Sequence, residues 1–262
     1  MTFVEEGPDN VGGRTRAILV DNSNNNILYA GSVSGGLFKS INRGNTWNRV
    51  NSFSAVLAVS CIAQTNNGTI YVGTGSTFES FTANGVWYTT DGGTTFSQLM
   101  PTTSFGSAAI NEIVADPIAN DKVYIGGNFP VKLTIAENTT TFTTEPSITG
   151  SVTDFHISKD GTVKLAGVGS RTYVAENTNT FTKVSNTLGT GGKLKESGIT
   201  RIEYAISHEK NSTGKYSLYA LMSKSGRLGG VASSIDNGQN WIEVLAETPA
   251  GSDPSTVTAT DP

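Results

Sequence analysis

The side chains able to do acid, base, nucleophilic or metal chemistry are sparse in this chain of 262 residues. It carries two histidines, His156 and His208, and one cysteine, Cys61. An internal disulfide takes two cysteines and a structural zinc takes a cluster of Cys and His, so neither is built here. His156 sits in the middle of one β-type segment, VTDFHISKD, and His208 near the end of another, IEYAISHEK. Those unequal depths favour structural roles over a paired site. Cys61 lies in an apolar stretch and reads as a small buried filler. The run Asp21-Asn-Ser-Asn-Asn-Asn26 is rich in oxygen ligands, yet it lacks the Gly and the distal Glu of an EF-hand calcium loop. The corresponding stretches 116–121 and 159–161 read as hairpin connectors. Four candidates for contact with a partner remain. Arg14 and Arg16 open a strand, and Phe78 and Phe81 lie in the loop 75–85. No catalytic residue, metal or cofactor is assigned.

Composition narrows the elements that must position these side chains. Charged residues are only 15% of the chain, against roughly 25% in an average soluble domain, and 30 glycines accompany an excess of Ser, Thr and Asn. The solvent faces of helices need Glu, Lys and Ala, so an all-α architecture is excluded and the surplus goes to strands and turns. A formal charge of −4 supplies no basic footprint for a phosphate backbone, which argues against a nucleic-acid partner. No apolar run approaches the roughly 20 residues of a membrane helix, so membrane insertion is not expected. The opening MTFVEE lacks the basic and apolar regions of a signal peptide. The expectation is a soluble chain, or a segment of a secreted one.

One pattern then passes five times. Its first copy reads RTRAILVD, ILYAGSV, GLFKSIN and TWNRV: four short segments rich in β-branched and aromatic residues, bounded by Gly, Asn or Ser. The copies span residues 14–50, 56–100, 110–146, 152–185 and 202–246. An aromatic residue marks the fourth segment at Trp47, Phe96, Phe142, Phe181 and Trp241. The second segments keep Tyr29-Ala-Gly, Tyr71-Val-Gly, Tyr124-Ile-Gly, Leu165-Ala-Gly and Tyr219-Ala in the same order. Four antiparallel strands repeating every 40–50 residues or so predict an all-β fold, a β-propeller of four-stranded blades. Residues 1–13 are expected to be an N-terminal strand or lead-in, and 247–262 a polar C-terminal loop. Because Thr2-Phe3-Val4 resembles an outer strand whose own blade is incomplete, the five blades are expected to be part of a ring of seven or more. A closed five-blade ring is the alternative.

A recurrent turn precedes the aromatic residue. It runs Ser40-x-Asn42-x-Gly44-x-Thr46-Trp47, Thr89-x-Asp91-x-Gly93-x-Thr95-Phe96 and Ser234-x-Asp236-x-Gly238-x-Asn240-Trp241. A short acid or amide folds back onto turn N–H groups, Gly supplies a positive φ, and the aromatic packs under neighbouring strands. These stretches resemble the Asp-box, or BNR repeat, which implies a structural turn at the outer rim of a propeller. The third and fourth copies keep Glu137 and Glu176 five positions before the aromatic but lose the Gly, so looser turns are expected there. The text from Val11-Gly-Gly-Arg14-Thr-Arg16 through Tyr29-Ala-Gly-Ser-Val33-Ser-Gly-Gly-Leu-Phe38-Lys-Ser40 is similar to sortilin-like propellers. It is similar above all to propeller domains of large secreted Bacteroidetes proteins exported by type IX secretion. The resemblance implies a secreted or cell-surface location; no sorting tail is visible.

Two enzyme groups with such turns can be compared residue by residue. The sialidase pattern needs Arg-Ile-Pro, whereas Arg201-Ile202 is followed by Glu203. The resemblance to xyloglucanases places Val33 where those enzymes carry a catalytic Asp, and valine cannot act as acid, base or nucleophile. The reading is therefore a noncatalytic binding or structural module of an extracellular protein, with a protein or glycan partner. Further blades of the same protein or another chain are a further possible partner. The alternatives are a phage virion or injection-machine component, and a glycoside hydrolase with a degenerate or incomplete site.

Overall fold

A computed structural model of the protein describes residues 14–53, 57–76 and 81–245. The expected lead-in strand, the C-terminal loop and Phe78 lie outside the described residues. Short β-branched segments separated by Gly, Asn and Ser cannot bury both faces alone, so each group of four pairs in sequence order as an antiparallel meander. The first sheet holds β1 (Thr15–Val20), β2 (Leu28–Ser32), β3 (Gly36–Ser40) and β4 (Asn48–Arg49). The second holds β5 (Val59–Gln64), β6 (Ile70–Thr74), β7 (Val86–Thr89) and β8 (Ser97–Met100), and a single helical turn, α1 (Thr102–Phe105), follows it. The third is β9 (Ile110–Ala115), β10 (Lys122–Gly127), β11 (Leu133–Glu137) and β12 (Thr141–Thr144). The fourth is β13 (Asp154–Ile157), β14 (Val163–Val168), β15 (Arg171–Glu176) and β16 (Thr182–Lys183). A small parallel pair, β17 (Ser185–Asn186) with β18 (Leu194–Lys195), precedes the fifth. That last sheet is β19 (Arg201–Lys210), β20 (Tyr216–Lys224), β21 (Arg227–Ser234) and β22 (Ile242–Leu245). The parallel pair was not foreseen, because its Gly-rich connection reads as plain loop.

The chain divides into two compact units, residues 1–144 and 145–262. In the first unit the innermost strands β1, β5 and β9 lie side by side and the sheets stack face on face. Between the first and second sheets the core is Tyr29, Leu37, Phe53, Val59, Ile70 and Val72. Phe53 meets Trp87 edge-on at 6.2 Å and Phe96 at 5.0 Å. Tyr71, Val86, Met100, Ile110, Val123 and Ile125 fill the space between the second and third. In the second unit Leu165, Val174, Tyr204, Tyr216, Leu218 and Trp241 join the fourth and fifth sheets.

The glycine two residues after the second-strand marker sets how closely sheets nest. A Cβ built on Gly31 would lie 3.0 Å from Cβ of Val59 on the next innermost strand, and one on Gly73 would lie 2.8 Å from Cγ2 of Ile110. On Gly167 it would meet the Tyr204 ring at 2.9 Å. Only a residue without a side chain lets the next strand come that near.

The aromatic residues of the fourth segments do not all pack as expected. Phe181 and Trp241 are buried and Trp47 and Phe96 partly so, but Phe142 is 40% exposed. In the third sheet the turn ends early and β12 has begun at Thr141, so Phe142 falls within the strand, with its ring 5.1 Å from that of Phe105.

Candidate functional site

The two ends of the sheets differ in how their polar groups are used. One end carries the hairpins between first and second strands and the turns between third and fourth. There the side chains tie neighbouring sheets together. Asp21 accepts from the Ser23 and Asn24 N–H groups and the Ser23 hydroxyl, and its second oxygen takes Gln64 Nε2 at 3.0 Å. Partial burial alone would raise its pKa, but these hydrogen bonds outweigh it and hold the carboxyl below its usual range. Asn66 donates to the carbonyls of Pro117 and Ala119, and the buried Tyr71 hydroxyl donates to Asp121 at 2.7 Å. In the second unit Lys210 pairs with Asp160 at 2.9 Å, and Lys159 pairs with Glu209.

The recurrent turns share this end. In the second sheet Asp91 Oδ1 accepts the N–H groups of Thr94 and Thr95, both at 2.9 Å, while Oδ2 takes the Thr95 hydroxyl at 2.7 Å. The Thr89 hydroxyl donates to Asp91 and accepts the Gly93 N–H. Asp236 repeats this with Gln239, Asn240 and Ser234, and Gly238 N–H donates to Ser234. Asn42 does the same with its amide, accepting from Thr46 N–H and donating Nδ2 to the Thr46 hydroxyl. Two successive residues are left-handed in each turn: Arg43 and Gly44, Gly92 and Gly93, Asn237 and Gly238. The second of each pair is Gly, which takes φ near +90° without strain. In the third and fourth sheets the acids leave the turn altogether. Glu137 pairs with Lys122 at 2.8 Å, and Glu176 accepts Lys215 and Asn237. Asn138, Thr139 and Asn177 supply the positive φ instead.

At the other end lie the loops joining second to third strands and the first residues of the innermost strands. Arg16 Nη1 donates to Ser76 Oγ at 2.6 Å, and Ser76 exchanges both backbone hydrogen bonds with Phe81, which is 41% exposed. Thus Arg16 and the loop of Phe81, far apart in sequence, meet through one serine. Arg14 is exposed, and its carbonyl accepts the N–H of Val33, a buried residue. The third sheet adds a side chain that the sequence did not single out. Phe129 is 70% exposed, with Lys132 Nζ 5.6 Å from the centre of its ring. Beside it Asn111 donates to Asn128. Phe129 lies between two of the segments read from the sequence, and the exposure of its ring depends on the loop's path.

The histidines are not brought together. His156 lies 3.2 Å from Asp154, whose other oxygen accepts the Tyr204 N–H, while exposed His208 pairs with Glu209. Cys61 has its thiol pushed up to about 12, chiefly by burial. Among the described residues no three His, Cys, Asp or Glu side chains are grouped to hold a metal, and no helix is long and apolar enough to cross a membrane.

No protein-family model and no curated protein sequence matches the chain. Solved structures do match in three dimensions. An ancestral GH74 enzyme superposes with a TM-score of 0.65 at 18% identity, over 92% of this chain and 34% of its own. The GH74 xyloglucanase from Xanthomonas campestris gives 0.64 at 12% identity, over 88% and 38%. These neighbours are built of radially repeated four-stranded antiparallel sheets. The fold is a β-propeller. A propeller described as an auxiliary nutrient binding protein from Bacteroides thetaiotaomicron also matches, with a TM-score of 0.57 at 14% identity, over 88% of this chain and 57% of its own. The chain spans from about a third to somewhat over half the length of these propellers. At such identities the likeness carries the fold of the blades and leaves their chemistry to the residues present.

Proposed function

We propose that the chain is a noncatalytic β-propeller module of an extracellular or cell-surface protein, binding a glycan or protein partner at the end that carries Arg14, Arg16, Phe81 and Phe129. The observation that carries this reading is the exposed rings of Phe81 and Phe129 at that end, above all Phe129 with Lys132 over its ring. The opposite end spends its acids and amides on closing turns and joining blades, whereas this end offers flat apolar faces and charged donors to a polar polymer. The three Gly-containing turns resemble Asp-boxes, which fits a structural duty at the rim. Resemblance to xyloglucanases places Val33 at the acid's position, and a buried valine tied to the Arg14 carbonyl supplies no proton chemistry. The nutrient-binding neighbour and the resemblance to secreted Bacteroidetes propellers support the extracellular reading.

Covering the exposed part of one Phe ring removes on the order of 100 Å² of apolar surface, worth about 2.5 kcal/mol. Titration calorimetry against a panel of soluble polysaccharides and surface proteins is therefore expected to show Phe129→Ala weakening the binder roughly tenfold to a hundredfold, since 1.4 kcal/mol is tenfold. The melting temperature should not change. Unaltered binding by the Phe81→Ala/Phe129→Ala double variant would refute the site. Turnover of xyloglucan or sialoside reporters would refute the noncatalytic assignment.

A further inference from the structure

Charge is distributed unevenly along the strands of the first unit. Among its described residues, the end with the loops between second and third strands and the first residues of the innermost strands holds Arg14, Arg16 and Lys132 against Glu112. The hairpins and turns of the other end hold Asp21, Asp91, Asp116 and Asp121 against Arg43. Glu112 and Arg16 both lie near enough to the buried Cys61 to act on its thiol, in opposite directions. Lys132 is the charge of the third blade's own loop. A chain with a formal charge of −4 therefore turns a cationic end outward, which draws anionic ligands to it.

The loop that carries Lys132 is held at both ends. Gly127 N–H donates to the Lys132 carbonyl at 2.8 Å, Asn128 N–H to the Ala109 carbonyl at 3.0 Å, and Lys132 N–H to the Asn128 carbonyl at 3.3 Å. Val131 is buried in the core between the second and third sheets, and a Cβ built on Gly127 would lie 2.8 Å from its Cγ1. Pro130 fixes a further dihedral, and Asn111 Nδ2 holds Asn128 Oδ1 at 3.2 Å. Lys132 itself takes φ +51°, a conformation that lysine rarely adopts, with its Nζ 5.6 Å from the centre of the Phe129 ring. The surrounding bonds maintain this strained residue, so cation and ring stand side by side before any ligand arrives. Such preorganisation lowers the ordering cost of binding.

These features select among ligand classes. Peptides are held through an open strand edge, a groove or side-chain pockets. A ring that is 70% exposed on a loop lies on the surface instead, and offers a flat apolar face. A pyranose lays a flat patch of C–H groups on such a face, and an ammonium beside the ring meets a carboxylate carried on the same sugar. We infer that the partner at this end is a polyuronate, a polysaccharide whose sugars carry carboxylates, with one sugar stacked on Phe129 and its carboxylate on Lys132. The inference rests on the reading that this end binds a partner, and it names the chemistry of that partner.

Titration calorimetry on the full chain tests it with hexamers of galacturonate, guluronate and mannuronate, each beside the same hexamer with its carboxylates reduced to alcohols, and with hexaglutamate. At least one acidic hexamer is expected to bind about tenfold or more tighter than its reduced form, and to weaken as NaCl rises from about 50 to 500 mM. Lys132→Gln should weaken that hexamer about fivefold or more without affecting a reduced one, whereas Lys132→Arg should retain binding. Phe129→Ala should weaken whichever hexamers bind. Circular dichroism should be unchanged in all three variants. Equal affinity for acidic and reduced hexamers overturns the polyuronate assignment and leaves the binding end standing, and so does tighter binding of hexaglutamate. Acidic binding indifferent to Lys132→Gln overturns the placement on Lys132. If no acidic hexamer binds, the inference falls; the wider reading falls with it only if the panel of polysaccharides and surface proteins also shows no binding that depends on Phe81 and Phe129.

Discussion

The nesting of the first two blades can be tested at one pair of atoms. Gly31 adopts no positive φ, so alanine is acceptable to its backbone, and only the space is denied. The added methyl would sit inside contact distance of Val59 and 3.3 Å from the Ala17 Cβ. Overpacking of this kind costs about 1–3 kcal/mol, offset by about 0.4–1 kcal/mol from the less flexible unfolded chain. A net loss of about 1–2 kcal/mol is expected for Gly31→Ala. Val59→Ala removes two buried methyl groups worth about 0.8 kcal/mol each plus a cavity contribution, about 2–3 kcal/mol in all. In the double variant the new methyl occupies the space the valine left, so the two losses should not add. A favourable coupling of about 1–2 kcal/mol is expected. Urea denaturation followed by tryptophan fluorescence reads it, because Trp87 packs on Phe53 in the same core. Additivity within about 0.5 kcal/mol would show that Gly31 does not govern the approach of the sheets.

Two further predictions concern polar groups. The Asp91 carboxyl is held well below the usual carboxylate range by the Thr95 N–H first, then the Thr95 and Thr89 hydroxyls. A depressed folded-state pKa contributes stability that is complete above the unfolded value near 4 and is lost as pH falls toward the folded one. Melting temperatures recorded from pH 5 to 2 should therefore fall less steeply in Asp91→Asn than in the parent, as the amide at Asn42 already manages an equivalent turn; superimposable curves would contradict this. Removing the buried Tyr71 hydroxyl takes from Asp121 its donor at 2.7 Å and leaves the Thr65 hydroxyl at a longer 3.3 Å, so Tyr71→Phe should cost about 1.5–3 kcal/mol. Tyr29→Phe gives up only a bond to a neutral carbonyl and should cost nearer 1 kcal/mol. Equal losses in chemical denaturation would count against the difference.

What could be read from the residues depended on whether the signal was local. The short segments rich in β-branched and aromatic residues, the Tyr-x-Gly markers and the turn around Asp91 are each complete within a few residues, and each matches a feature of the sheets. Arg16 and the loop of Phe81 were singled out separately, and their meeting through Ser76 spans 60 residues. Phe129 carried no signal of its own, since a phenylalanine before a proline reads alike whether its ring is buried or bare. The acids at Glu137 and Glu176 keep the spacing of the turn acids, yet without a following Gly the turn closes otherwise: Lys122 on the paired strand takes Glu137, and Lys215 in the first hairpin of the next sheet takes Glu176.

The turns at Asn42, Asp91 and Asp236 also bear on the order of events during folding. Every partner of Asp91 lies within four residues of it, so the clasp closes without help from any other sheet. Hairpin closure takes about 1–10 μs, well ahead of contacts that must search across some 50 residues of chain. Blades one, two and five thus each hold a turn that closes on its own residues. In blade four the acid at the same spacing, Glu176, instead meets a lysine 39 residues downstream, so that carboxylate joins two blades rather than closing its turn.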